Sequence, residues 1–173
     1  MRRSLLLITL ATWLTGTAAV WLTASNNFGW SKRVLEQGEQ TGLAAKLRPL
    51  PAEDARQAMR HLASEINRSI FRFWDPLQVG LATVALWLGW RLSSSRWRKA
   101  ALAAALVIAL LLASWITPTV LALGPPLDFV PRDPPPPGFR TFMIYHGLYL
   151  ALDGVKMALL AAVMVAVARE RAG

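Results

Sequence analysis

Apolar residues in this chain come in blocks long enough to cross a bilayer, separated by charged turns and two longer connections. The first block runs from about Leu5 to Thr23, behind Arg2 and Arg3. A basic start before an apolar run also fits a signal peptide, and Thr17-Ala18-Ala19 offers a cleavage context. The run continues through Val20, Trp21 and Leu22, so an uncleaved spanning helix is the expectation. The second block, Phe71 to Leu92, is long enough to span, with Asp75 near one interface. Its Pro76 is tolerated where neighbours or water satisfy the freed carbonyl. The third, Ala101 to Leu123, is broken only by Ser114, Thr117 and Thr119, and Pro118 is expected to kink its far end. The fourth runs from Thr141 to Val167.

The 25–70 connection is polar. Its first part, Asn26 to Leu50, mixes charges without a clean period. Pro51-Ala52-Glu53-Asp54 then has the character of a helix start, with proline in the first turn and acids at the positive end of the dipole. Ala55, Met59, Leu62, Ile66 and Ile70 follow at spacings of three and four, which predicts an amphipathic helix. Such a helix lies on the membrane surface or packs on the bundle. Residues 124–140 hold seven prolines in 17 positions, which excludes a helix or paired strand and predicts a stiff, extended spacer. The fold class expected is therefore all-α: a polytopic membrane protein with a bundle of four transmembrane helices and an amphipathic non-cytoplasmic helix, in one domain.

Basic residues orient this layout. Arg2 and Arg3 precede the first block, Arg91, Arg96, Arg98 and Lys99 crowd the turn between the second and third, and Arg169 and Arg171 follow the fourth. Four crossings put all three groups on one face, the cytoplasmic one by the positive-inside rule. Residues 25–75 carry eight Lys/Arg against six Asp/Glu and run against the rule, though the length of the connection weakens its effect. Trp21, Trp30, Trp74 and Trp115 are expected near the outer interface, and Trp87, Trp90 and Trp97 near the cytoplasmic one, as an aromatic belt. A bacterial inner membrane, with both termini cytoplasmic, is the expected location.

Composition adds little to this picture. The net charge of +9 belongs beside the spans and against anionic lipid, and no basic-aromatic module points to nucleic acid. No cysteine is present, which removes thiol nucleophiles and cysteine-ligated metals.

Candidate chemistry is confined to the last block. His146, Tyr149, Asp153 and Lys156 are spaced three, four and three, and share one helix face within roughly 80°. Ionisable groups inside a membrane turn toward the bundle interior. In one reading this face lines a polar cavity, where Asp153 and His146 relay protons or bind a ligand. In the other, Asp153 and Lys156 neutralise one another as an i,i+3 pair, and His146 and Tyr149 sit near the outer interface. Gln78 is the candidate partner from the second block, while His61 reads as a surface residue. Thr9, Thr12, Gly16, Gly80, Thr83 and Gly89 read as helix-packing positions. No phosphate loop, nucleophile elbow or zinc-helix motif occurs, the two histidines have no haem spacing, and no metal or other cofactor is expected.

Trp115-Ile116-Thr117-Pro118 in the third block and Phe142-Met143-Ile144-Tyr145-His146-Gly147-Leu148-Tyr149 at the start of the fourth resemble a family of uncharacterised bacterial membrane proteins grouped with eukaryotic transmembrane protein 205. The resemblance covers about residues 70–165. It implies a four-helix membrane bundle of unassigned activity, with His146 a position of interest. The long first connection and the charged pair Asp153 and Lys156 depart from the family's pattern. Function is then expected to be non-enzymatic: a subunit or accessory factor of a membrane assembly, with the bilayer and either another membrane protein or a second copy of itself as partners. The alternative is a small oligomeric transporter or proton-linked channel that uses the polar stripe.

Overall fold

The computed structural model describes residues 2–36, 42–47, 49–131 and 133–170. Glu39, Arg48 and Arg171, counted in the charge pattern above, lie outside the described residues. Those described form helices and no strand: α1 (Arg2–Glu36), α2 (Gly42–Leu47), α3 (Ala52–Leu92), α4 (Arg96–Leu111), α5 (Thr117–Leu123) and α6 (Phe139–Arg169), with a π turn at Leu112–Ile116 and a 3-10 turn at Pro125–Leu127. Three stretches are long and apolar enough to cross a membrane: Arg2–Glu36, Arg96–Leu127 and Phe139–Arg169. The expected span 71–92 is the second half of α3 and is not among them. It carries Asp75, Gln78 and Arg91 among its apolar residues.

α1 packs on α3 and α6, and α4 packs on the same two helices from the other side. Lipid tails solvate leucine as well as another helix does, so close packing and hydrogen bonds must hold such helices together. Both are visible. At Gly16 a Cβ would run into the Trp74 indole, and at Gly89 into the Leu102 side chain, so glycine brings each helix pair together. Trp13, Leu10, Leu102, Leu160 and Val163 are fully buried among them. Gly80, Thr83 and Thr12 face outward instead, against the expectation that they pack.

Two helices differ from their expected bounds. α1 does not stop near Thr23 but continues to Glu36. Its extension is held by α3: Asn27 Nδ2 donates to Asn67 Oδ1 at 2.6 Å, Asn67 Nδ2 donates to the Ala24 carbonyl at 3.1 Å, and the Ser31 hydroxyl donates to the Met59 carbonyl at 3.4 Å. α3 in turn runs unbroken through the amphipathic segment, past Pro76, to Leu92. Its packing face is Ala55, Met59, Ala63, Asn67 and Trp74, whereas Leu62 and Ile66 are exposed, contrary to the expected stripe. Ala63 is small enough to let α1 approach, and Asn67 supplies the hydrogen bonds.

The expected kink at Pro118 takes the form of the π turn. Proline has no N–H to give, and its ring crowds the preceding turn of helix. The wider turn directly before it absorbs that conflict, with the Thr117 N–H reaching back to the Leu112 carbonyl.

Arg98 on α4 forks onto Glu170 just past α6, one branch at 3.0 Å, and Arg3 acts on the same carboxylate. The N-terminus, the 92–96 turn and the end of α6 therefore meet at one end of the molecule. The arginine hydrogen bonds hold the Glu170 carboxyl below the ordinary glutamate range.

Candidate functional site

Three of the four stripe residues on α6 are buried. Tyr149 is 5% exposed, and Asp153 and Lys156 are closed off completely. Asp153 and Lys156 form the expected i,i+3 ion pair. Gln78, also closed off, is the expected partner from α3: its Oε1 accepts from Lys156 Nζ at 2.5 Å. His146 does not join them. It is half-buried, and its ring stacks on Phe142, one turn earlier, with centroids 5.9 Å apart and planes within 5°. Its position on the stripe is right, but the network begins a turn further along.

Sequence reasoning missed the rest of the network. Gln78 Nε2 donates to Asp75 Oδ1 at 2.9 Å, so its amide bridges Lys156 to a second carboxylate. Asp75, expected near an interface, is only 4% exposed and turned inward. The i,i+3 spacing of Asp75 and Gln78 was the signal that could have placed it there. Trp21, expected in the outer belt, donates its indole N–H to Asp153 Oδ2 at 2.7 Å. Trp74 is likewise buried rather than belted, whereas Trp30, Trp87, Trp90, Trp97 and Trp115 are exposed. The Trp13 ring lies 5.6 Å from Lys156 Nζ, a cation–π contact that helps a desolvated ammonium. Thr117, next to the π turn, interacts with the Asp75 carboxyl, although neither its hydroxyl nor Asp75 Oδ2 makes a hydrogen bond of good geometry.

The network thus runs Trp21, Asp153, Lys156, Gln78, Asp75 and ties α1, α6 and α3 together. It has donors, acceptors and opposite charges, and no group of three His, Cys, Asp or Glu side chains that could hold a metal occurs among the described residues.

A second ionic cluster lies at the other end, where the proline-rich loop meets α3. Asp128, 3% exposed, receives Arg68 Nη2 at 2.6 Å and pairs with His61 Nδ1 at 2.9 Å. Arg68 also forks onto Glu65 at 3.0 and 2.8 Å, and holds that carboxyl below its ordinary range. Burial works against the Arg68 charge, but the hydrogen bonds to Asp128 and Glu65 outweigh it and raise the basicity of the guanidinium. The His61 ring lies against Phe129 with centroids 4.6 Å apart, and Arg60 donates to the Val130 carbonyl at 3.3 Å. The loop is therefore fastened to α3, and His61 is part of the fastening.

Beside that end, a groove of about 600 Å³ opens between the last turns of α1, α2 and the start of α3. Phe28, Leu47, Leu50 and Met59 are among its apolar lining, and its charged lining includes Lys32, paired with Glu36 at 3.6 Å, and Arg56, paired with Glu53 at 2.8 Å.

Comparison with protein-family profiles, curated proteins and solved structures returned no match for this chain.

Proposed function

We propose that the chain is a four-span membrane protein that works without catalysis, as a subunit or accessory factor of a membrane assembly. The fourth crossing is the second half of α3. Its polar Asp75 and Gln78 face the interior, while Phe73, Leu77, Val84 and Trp87 on its outer side are exposed and apolar, as lipid requires. By the positive-inside rule, the basic groups at the end where Arg98 meets Glu170 support a cytoplasmic position for that end and both termini. A bacterial inner membrane suits this orientation.

The observation that carries the reading is that Asp153, Lys156 and Gln78 are fully closed off and bonded to one another. The stripe is spent on holding helices of its own chain together. What remains open is the groove, whose apolar lining suits the apolar face of an amphipathic segment of a partner protein. Native mass spectrometry of the protein extracted in mild detergent tests this. The expected mass includes a second polypeptide, and Leu50→Asp in the groove removes it. A homo-oligomer with no other chain, unaffected by Leu50→Asp, sinks the reading. The transporter alternative is favoured by one observation: the network holds two carboxyls, Asp75 and Asp153, against the single ammonium of Lys156.

A further inference from the structure

We infer that Asp75, together with Thr117 and Tyr149, is a buried proton-binding site. The site is independent of whether a partner occupies the groove.

Charge balance comes first. Asp75, Asp153 and Lys156 are each at most 4% exposed. With both acids ionised they carry one uncompensated negative charge in a region walled by helices. An unpaired buried charge costs several kcal/mol, and a protein avoids that cost by neutralising the group. Lys156 is already committed to Asp153 and the Gln78 oxygen. Asp153 has in addition the Trp21 N–H. Asp75 receives the Gln78 amide on Oδ1, and the Thr117 hydroxyl approaches its carboxyl without a hydrogen bond of good geometry. The surplus charge therefore falls on Asp75.

Geometry points the same way. Asp75 Oδ2, the Thr117 hydroxyl and the Tyr149 hydroxyl are all buried without a hydrogen-bond partner. Buried polar atoms are rarely left so, and those in a native structure call for an explanation. These three also sense one another: Thr117 acts on the Asp75 carboxyl, and Asp75 and Asp153 both act on Tyr149. The charged or titratable groups facing Asp75 from α6 are Asp153, Lys156 and Tyr149, the π turn and α5 bring Thr117, and α1 brings the indoles of Trp13 and Trp21 beside the pair.

A proton resolves charge and geometry together. It adds to a lone pair of Asp75 Oδ2, and the new O–H donates to the Thr117 oxygen. The formal charge of the network goes from minus one to zero, and no bond breaks within the protein. A hard divalent cation fits less well, because it takes about six oxygens, and of the four unpartnered here Asp153 Oδ1 already faces the Lys156 ammonium.

Infrared spectroscopy of the full chain in lipid nanodiscs reads this directly. At neutral pH the exposed acids are ionised, so the expected signal is one buried carboxylic-acid C=O band per chain. Asp75→Asn abolishes it. Thr117→Val, which keeps shape and removes the hydroxyl, leaves the band but shifts it to higher frequency as its hydrogen bond is lost. A wild-type spectrum without the band overturns the proposal and leaves an ionised Asp75 bridged by a buried water. A band that survives Asp75→Asn places the proton elsewhere. If Asp75→Asn does not fold, an unshifted band in Thr117→Val overturns the proposal alone.

Discussion

The two ionic clusters have nearly the same parts in different surroundings. Where the proline-rich loop meets α3, Arg68 meets Asp128 and Glu65; in the interior, Lys156 meets Asp153 and, through Gln78, Asp75. Each sets two carboxyls against one permanent cation. At that loop, Glu65 keeps 46% of its side chain in solvent, and His61 adds a hydrogen-bonding partner for Asp128. Inside, no such relief exists: Gln78 passes charge along but carries none. The same composition is therefore a fastening in one place and an unbalanced site in the other. The difference is access to water, since a surface ion pair gains or loses little while a buried one suffers badly when one partner is removed.

Breaking the inner cluster should have the largest effect. Lys156→Met leaves Asp153 buried without its cation, and a loss of about 3–5 kcal/mol is expected in denaturant unfolding from mixed micelles. Adding Asp153→Asn should restore most of it, because the charge left behind is gone. A single change that costs less than about 1 kcal/mol would show that the pair does not lock the helices.

The cluster at the loop should yield less. Asp128→Asn weakens charge-assisted hydrogen bonds worth about 1.5–3 kcal/mol. The loop should then come away from α3, so faster proteolysis within 124–138 is the reading to look for. Unchanged cleavage would mean that Leu127, buried beside it, fastens the loop without the charges.

Between the clusters, Gly16→Ala tests packing without charge. Its Cβ meets the Trp74 ring, and overpacking of this kind costs about 1–3 kcal/mol. Tryptophan fluorescence during unfolding measures it, and a neutral result would mean that Trp74 swings aside.

Acid should have the smallest effect, and only outside. Glu65 and Glu170 are held below 4.5 by Arg68 and Arg98. Folding therefore gains from them above that value, and the gain is lost as pH falls through their lower folded-state values. Both are exposed, so the loss is small. Thermal unfolding at neutral pH and at successive pH values below 4.5 should show a modest fall, diminished in Arg98→Gln.

The sequence made the helices easy to place, because an apolar run near 20 residues has few other uses. The spacing of four and three between Tyr149, Asp153 and Lys156 also pointed to the inward face that buries them, though His146, three residues earlier on the same stripe, stays outside the network. The extension of α1 was invisible: Asn27 looks like any polar residue until Asn67, 40 positions away, is set beside it. The same holds for His61 and Asp128, which are 67 positions apart. Asp75 was hidden by its place at a block's edge, where an acid normally meets water. His146 drew attention that its neighbour Phe142 explains.

α3 is continuous over 41 residues, roughly 60 Å, about twice the hydrocarbon thickness. One helix thus joins the groove lining at Ala55 and Met59 to Asp75 and Gln78 with no loop between them, and α1 packs against it through Gly16 and Trp74, one residue before Asp75.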